Sequence, residues 1–251
     1  MTDLSHVQLP PGKRIASLFL LPDCDMACRF CGSDLGFSVM TFEAAQDLLH
    51  RLRDLGLDQV VLGGGEPLLW PYRLPRLAAA ARRLGFTVQV CTNGLRLTEE
   101  LLRDEAIDRF ILPMESLDAE THDRLRRAPG GHHHRIRERI GRAVALGREL
   151  TFSTVVTAEN LTHLPALADH LEDLARNGAR IHAWHLYRFL PIGRGGLRNA
   201  ELLATSAQAY RAAVEAVRRG HRGFPIYRRS DMVHASSVAY FWAEDGRIRM
   251  A

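Results

Sequence analysis

Short apolar runs alternate with longer amphipathic ones along this chain. Six of the short runs predict strands: Ile15–Leu21, Gln59–Leu62, Thr87–Cys91, Arg109–Leu112, Thr151–Val156 and Ile181–Leu186. Between them, apolar positions recur at helical spacing and predict helices over Thr41–Leu55, Leu74–Leu84, Glu99–Arg103, His132–Leu150 and His163–Arg176. Thr41 suits an N-cap, and Gly56, Gly85 and Gly178 each follow a last helical turn. Strand–helix alternation with short connections predicts a parallel sheet, its site built from loops at the strands' C-terminal ends. Six such units predict an α/β fold in the form of a partial (β/α)6 barrel rather than a closed eight-fold one.

The rhythm changes after about residue 190. A helix near Thr205–Arg219 precedes the apolar Phe224–Tyr227, and Ser237–Trp242 with Arg247–Met250 predict a hairpin turning at Glu244-Asp245-Gly246. No repeat, low-complexity segment or linker interrupts the chain. One domain is expected over residues 1–251, with a barrel core over about 15–190 and a C-terminal extension over about 200–251 that covers the substrate.

Composition narrows this picture only slightly. At 251 residues and 46% hydrophobic, the chain can bury one large core. Charged residues make up 25%, and the formal net charge is only +4. Lys13 is the single lysine, so arginine carries nearly all the positive charge. No basic tail or aromatic-interleaved basic run points to nucleic acid. No apolar stretch is long enough to span a bilayer, and Met1–His6 lacks the pattern of a secretory signal. Clustered reduced cysteines fit a cytoplasmic location.

The cysteines carry the sharpest chemistry. Cys24, Cys28 and Cys31 form a C-x3-C-x2-C stretch just after the first apolar run, and Cys91 stands alone. Three thiolates on one loop can hold three irons of a [4Fe–4S] cubane and leave the fourth open for another ligand. Zinc ordinarily takes paired C-x2-C knuckles with four ligands, and no second pair is present. A zinc site and a purely structural trio stay as the alternatives. Cys91 reads as a buried strand thiol.

Turns on the same predicted face follow the next strands: Gly63-Gly64-Gly65-Glu66-Pro67, then Cys91-Thr92-Asn93-Gly94, then Glu115-Ser116-Leu117-Asp118. Each alone is common turn composition. In this order, after the three-cysteine loop, they resemble the radical S-adenosylmethionine (radical SAM) superfamily over roughly residues 15–190. That resemblance implies a [4Fe–4S] cluster on Cys24, Cys28 and Cys31, with the open iron chelated by S-adenosylmethionine. Its reductive cleavage would release a 5′-deoxyadenosyl radical that takes hydrogen from a substrate.

The resemblance also implies site residues. Phe30 would lie beside the adenine, Gly64, Gly65 and Glu66 would receive the methionine amino group, and Asn93 and Ser116 would reach ribose or carboxylate. Val155 and Val156 would offer backbone groups to the adenine. Glu115 and Arg188 are the candidate catalytic residues, Arg188 also as a cofactor contact. Arg194, Arg198, Arg228 and Arg229 join Arg188 as an expected anion site for substrate. His132-His133-His134 opens a helix, where successive side chains splay apart, so a metal role is not expected.

No cysteine follows Cys91, so auxiliary clusters are not expected in these residues. The expected activity is hydrogen abstraction from a small, anionic substrate, with a reductase, flavodoxin or ferredoxin as electron donor. The segment Ser230–Trp242 is similar in pattern to viperin-like nucleotide dehydratases, which makes a nucleoside triphosphate one alternative substrate. Peptide modification, glycyl-radical activation and an iron–sulfur carrier or sensor are the others.

Overall fold

The computed structural model describes residues 4, 6–33, 36–220, 223–231 and 236–251 of the chain. Among the described residues, nine strands form one sheet: β1 (Ile15–Phe19), β2 (Gln59–Gly63), β3 (Thr87–Cys91), β4 (Arg109–Pro113), β5 (Glu149–Val156), β6 (Arg180–Arg188), β7 (Ile226–Arg229), β8 (Val238–Glu244) and β9 (Arg247–Met250). The α-helices are α1 (Phe42–Asp54), α2 (Leu74–Arg83), α3 (Glu99–Leu102), α4 (Ala119–Arg126), α5 (His133–Ala145), α6 (Leu164–Arg176), α7 (Gly193–Gly196), α8 (Ala200–Leu203) and α9 (Ala207–Gly220). The order across the sheet is β7-β6-β5-β4-β3-β2-β1-β8-β9. Every neighbouring pair is parallel except the β8–β9 hairpin.

The six-unit barrel core and the hairpin agree with the sequence pattern. The extension differs in position from what the pattern suggests: its strands lengthen the sheet at both edges. β7 pairs with β6, and β8 pairs in parallel with β1 over Ile15↔Val238 to Phe19↔Trp242. Residues 232–235, inside the Ser230–Trp242 segment, lie outside the described residues.

Local chemistry explains most boundaries. The Thr41 hydroxyl accepts from the Ala44 amide at 3.1 Å and starts α1, while Arg51 and Arg53 sit in its last turn, where a helix favours cations. The predicted helix over His132–Leu150 is shorter. It ends at Ala145, and the chain turns through Gly147 at φ +65°, so that Glu149 and Leu150 already belong to β5. α4 has no counterpart among the predicted helices. Asp118 caps it by accepting from Thr121 at 2.8 Å, and it buries Thr121, His122 and Leu125.

The two sheet faces have opposite characters. Leu18, Leu62, Val90, Phe110, Phe152, Trp184 and Phe241 are fully buried on the convex face with the helices. Truncating one of the large ones would cost about 3–5 kcal/mol. The concave face is polar at its base. There Arg109 donates to Glu149 at 2.7 Å and to Gln89 at 3.4 Å, and Gln89 donates to Gln59 at 3.5 Å. This closes the N-terminal end of the barrel, leaving the C-terminal rim for a site.

Candidate active site

The cysteine loop leaves β1 and is tied down from two sides. The Ala27 and Arg29 amides donate to the Arg127 and Leu125 carbonyls at the end of α4, at 3.3 and 2.9 Å. On the other side, the amides of Gly195 and Gly196 in α7 donate to the Cys31 carbonyl at 3.0 and 3.1 Å. A Cβ on Gly195 would stand 2.3 Å from the Cys28 carbonyl oxygen, so this close seating needs glycine. Cys24, Cys28 and Cys31 are free thiols and partly buried.

Each sulfur faces an N–H donor from another segment of the chain. Asn93 Nδ2 lies 3.8 Å from Cys24 Sγ, and Arg126 Nη1 lies 3.9 Å from Cys28 Sγ. Arg194 faces Cys31 and Cys24; burial disfavours its charge, but the two thiols favour the charged form and raise it. Burial pushes the Cys28 thiol up to about 11, with Arg126 pulling it back, and burial also raises Cys24. Arg194, expected at the substrate, is therefore at the thiols, and Arg126 was not singled out from sequence.

The turn after β2 packs against the same loop. The Gly65 and Glu66 amides donate to the Leu21 and Asp23 carbonyls at 2.7 and 2.8 Å. A Cβ on Gly65 would stand 2.1 Å from the Asp23 carbonyl oxygen. The glycines thus admit the backbone of the cysteine loop. Glu66 is fully buried and accepts from the Thr92 hydroxyl at 2.7 Å, the Asn93 amide at 2.7 Å and the Leu68 amide at 3.1 Å. Burial pushes its carboxyl up to about 7 against these bonds. The Asn93 side chain also donates to Asp25 at 2.8 Å.

Glu115, at the start of the turn after β4, is fully buried. Its Oε1 accepts from Arg126 Nε at 3.0 Å and Nη2 at 2.5 Å, and its Oε2 accepts from the Val155 amide at 2.8 Å. Burial raises the Glu115 carboxyl, with Arg126 opposing. For Arg126, burial disfavours the charge, but Glu115 and Cys28 more than offset this and hold it above the ordinary arginine value. Arg126 also sits 5.1 Å over the Phe30 ring, itself buried with Leu125, Phe189 and Leu203. An ion pair therefore runs from β5 through Glu115 and Arg126 to the cysteine loop.

A second buried chain uses two histidines. The Glu115 amide donates to His122 Nδ1 at 3.2 Å, so His122 carries its proton on Nε2. That nitrogen donates to His132 Nδ1 at 2.7 Å, which leaves His132 Nε2 to donate to the Asn93 carbonyl at 2.7 Å. Both imidazoles are fully buried, and burial lowers them, to about 2 for His122 and about 4 for His132. The His132 side chain is thus a neutral link between the β3 and β4 turns. Asn160 adds a brace, donating to the Glu115 and Val155 carbonyls at 3.0 Å each.

The remaining sequence candidates separate. Ser116 is buried, bonded to His163 Nδ1 at 2.7 Å and to the Asp118 amide at 2.9 Å. Val156 is in the core, and its carbonyl accepts from the Phe189 amide at 3.1 Å. Arg188 is paired in register with Val156, so it shares the convex face rather than the concave one. Arg228 points the same way as Leu186 by register and pairs with Glu215 at 3.3 Å. Arg198 is exposed on the turn after α7. Arg229 pairs in register with Tyr187 on the concave face. The expected five-arginine anion site is therefore not assembled, because strand alternation sends Arg188 and Arg228 to one side and Arg229 to the other.

Among the described residues, no three His, Cys, Asp or Glu side chains converge as ligands of a single metal ion. A cubane takes its thiolates on separate irons, so it does not need them to converge on one ion. Residues 18–171 match the radical SAM superfamily. The chain belongs to the radical SAM superfamily.

This radical SAM chain is 32% identical over 203 residues to a PqqA peptide cyclase of Streptomyces rochei, covering 78% of the chain and 53% of that protein. It is 27% identical over 182 residues to an S-adenosylmethionine-dependent nucleotide dehydratase of Flammeovirga pacifica, covering 67% and 60%. Its fold matches Streptococcus suis SuiB bound to S-adenosylmethionine with a TM-score of 0.66 at 15% identity, over 88% of this chain and 48% of that one. The chain spans about half the length of the first curated relatives it matches. The superfamily's cofactors are a [4Fe–4S] cluster and S-adenosylmethionine, and three free thiols on one loop with N–H donors around them fit the first. No described helix is long and apolar enough to cross a membrane.

Proposed function

We infer that the protein is a radical SAM enzyme that takes hydrogen from a small organic substrate on the concave face of its barrel. The observation that carries this is the convergence of Asn93, Arg126 and Arg194 on the three thiols of one loop. Donors from three separate segments around Cys24, Cys28 and Cys31 suit thiolates that hold a cluster and share its charge. When bound, the cluster supplies the electron that cleaves S-adenosylmethionine and so provides the 5′-deoxyadenosyl radical.

The chain's own residues do the rest by position. Glu66 fixes the β3 turn through Thr92 and Asn93, and Glu115 fixes Arg126 against Cys28. Asn93 and Ser116 stand beside these groups as contacts for the methionine or ribose portion. Phe30 and the Val155 backbone are more remote in role, since Phe30 supports Arg126 and the Val155 amide is bonded to Glu115. A carrier would need no such ring of ligand-facing turns. The similarity to a peptide cyclase and to a nucleotide dehydratase leaves peptide and nucleotide substrates both to be assayed.

The test is anaerobic cluster reconstitution, reduction, and detection of 5′-deoxyadenosine by mass spectrometry. Formation by the intact protein, and its loss in Cys24→Ala, Cys28→Ala and Cys31→Ala, is expected. A fully loaded cluster that yields none with any reductant overturns the reading in favour of a carrier or sensor.

A further inference from the structure

The concave face beyond the cysteines ends in a wall of rings. Register turns His185 and Tyr187 of β6 inward together with Tyr227 and Arg229 of β7. Toward the other end of the strand order, on the same concave face, the Phe19 and Tyr240 rings lie 5.7 Å apart at 45°. The strand order separates β7 from β8 by six intervening strands, yet Arg229 acts electrostatically on both Tyr187 and Tyr240. The curl of the sheet therefore brings the two walls around one space. Cys91 ends β3 on this same concave face, just before the Asn93 turn that reaches Cys24, so the space opens toward the cysteine mouth.

The walls have a definite chemistry. His185 meets Tyr227 edge-on at 5.2 Å, and Arg229 lies 5.0 Å over the Tyr227 ring. Burial lowers His185 to about 3 and raises Tyr187, so both are neutral. Among the described residues, Arg229 is then the cation facing these rings, whereas Arg109 at the base is committed to Glu149 and Arg194 faces the thiols.

We propose that this chamber binds a flat aromatic group bearing one carboxylate, with its ring between the Phe19–Tyr240 and Tyr187–Tyr227 walls and its carboxylate on Arg229. Ring faces and edges on two sides favour offset or edge-on stacking over aliphatic filling. A planar guanidinium suits a single carboxylate, and Asp231, which also acts on Tyr240, disfavours a more highly charged anion. A triphosphate would need more cations, and Arg188 and Arg228 lie on the other face of the sheet. The proposal rests on the radical SAM reading in taking the concave face as the substrate side.

Calorimetric titration of the cluster-reconstituted chain tests it. The probes are 4-hydroxyphenylacetate, the tripeptide Ala-Ala-Tyr with a free carboxylate, cyclohexylacetate, 4-methylphenol and ATP. One or both aryl acids should bind about tenfold or more tighter than cyclohexylacetate or 4-methylphenol, and which one leads tells a free metabolite from a peptide end. Arg229→Gln should lose that advantage while leaving 4-methylphenol unchanged, Arg229→Lys should retain part of it, and Tyr227→Leu should weaken every ring-bearing probe. Equal binding of cyclohexylacetate, no effect of Arg229→Gln, Arg229-dependent ATP binding tighter than either aryl acid, or no binding of any probe would each overturn it. If the aryl acid binds as expected but no 5′-deoxyadenosine is ever made, the chamber stands and the enzymatic reading falls.

Discussion

The cysteine mouth and the ring-lined edge of the same sheet are built on different rules. At the mouth, Glu66, Glu115, His122, His132 and Asn160 are fully buried polar groups, and each has its partners within the protein. At the edge, Tyr227 is 42% exposed, and rings meet through faces and edges with a single His185–Tyr187 hydrogen bond of 3.2 Å between their inward side chains. A network in a low-dielectric interior resists rearrangement, because losing one member strands the others. Ring walls can be exchanged without stranding anything. The cofactor side is thus held in place beforehand, while the substrate side is open to change at low cost.

That contrast can be broken experimentally, and the largest effect is expected at the thiols. Alanine at Cys24, Cys28 or Cys31 should abolish iron loading and the visible iron–sulfur absorption while leaving far-ultraviolet circular dichroism unchanged. Retention of a full cluster after any one of these changes would remove the mouth from its assigned role.

Next comes the buried ion pair. Arg126→Met leaves Glu115 without its cation and should cost about 3–5 kcal/mol in urea unfolding. Combining it with Glu115→Gln should recover a large part of that loss, since no buried charge is then stranded. A simple sum of the two single effects would show that the pair does not act as a unit.

The histidine chain gives a smaller, pH-dependent effect. Both imidazoles titrate below their ordinary 6.5 when folded, so the folded state resists their protonation. Their contribution is fully present above pH 6.5 and is lost as pH falls toward about 4, where His132 protonates in the folded protein. Wild-type melting temperature should drop across that window, and the His122→Leu, His132→Leu double variant should show a flatter profile. Parallel profiles would mean that the pair is not held neutral. Smallest of all, Tyr227→Leu should shift stability by about 0.5 kcal/mol or less and leave iron content intact. A fall in cluster loading there would erase the division between the two regions.

The sequence made the scaffold legible because its signals are local. Gln59–Leu62 and Thr87–Cys91 place Val60 and Leu62, and Val88 and Val90, at alternate buried positions, and they appear as β2 and β3. α4 escaped because its eight residues carry one large apolar side chain, Leu125, and bury a threonine and a histidine instead. The helix overrun into Glu149-Leu150 arose because Ala143, Leu146 and Leu150 keep helical spacing across the Gly147 turn. The three cysteines announced themselves by spacing, whereas Arg126 and His132 acquire partners only when α4 and α5 dock beneath the β3 and β4 turns. The arginines were misjudged as a group because sequence proximity says nothing of face: Arg228 and Arg229 are adjacent and point apart.

The pairing of β8 with β1 also bears on how the polypeptide acquires its shape. Ile15 finds its partner Val238 only after more than two hundred intervening residues have been made, a contact of high sequence separation that slows folding. At ribosomal rates of about 5–20 residues per second, the β1 edge stays unpaired for roughly ten to forty-five seconds, a template for wrong association. The cysteine loop emerges from that same unfinished edge. Cys24, Cys28 and Cys31 are therefore synthesised long before the strand that completes the sheet beside them.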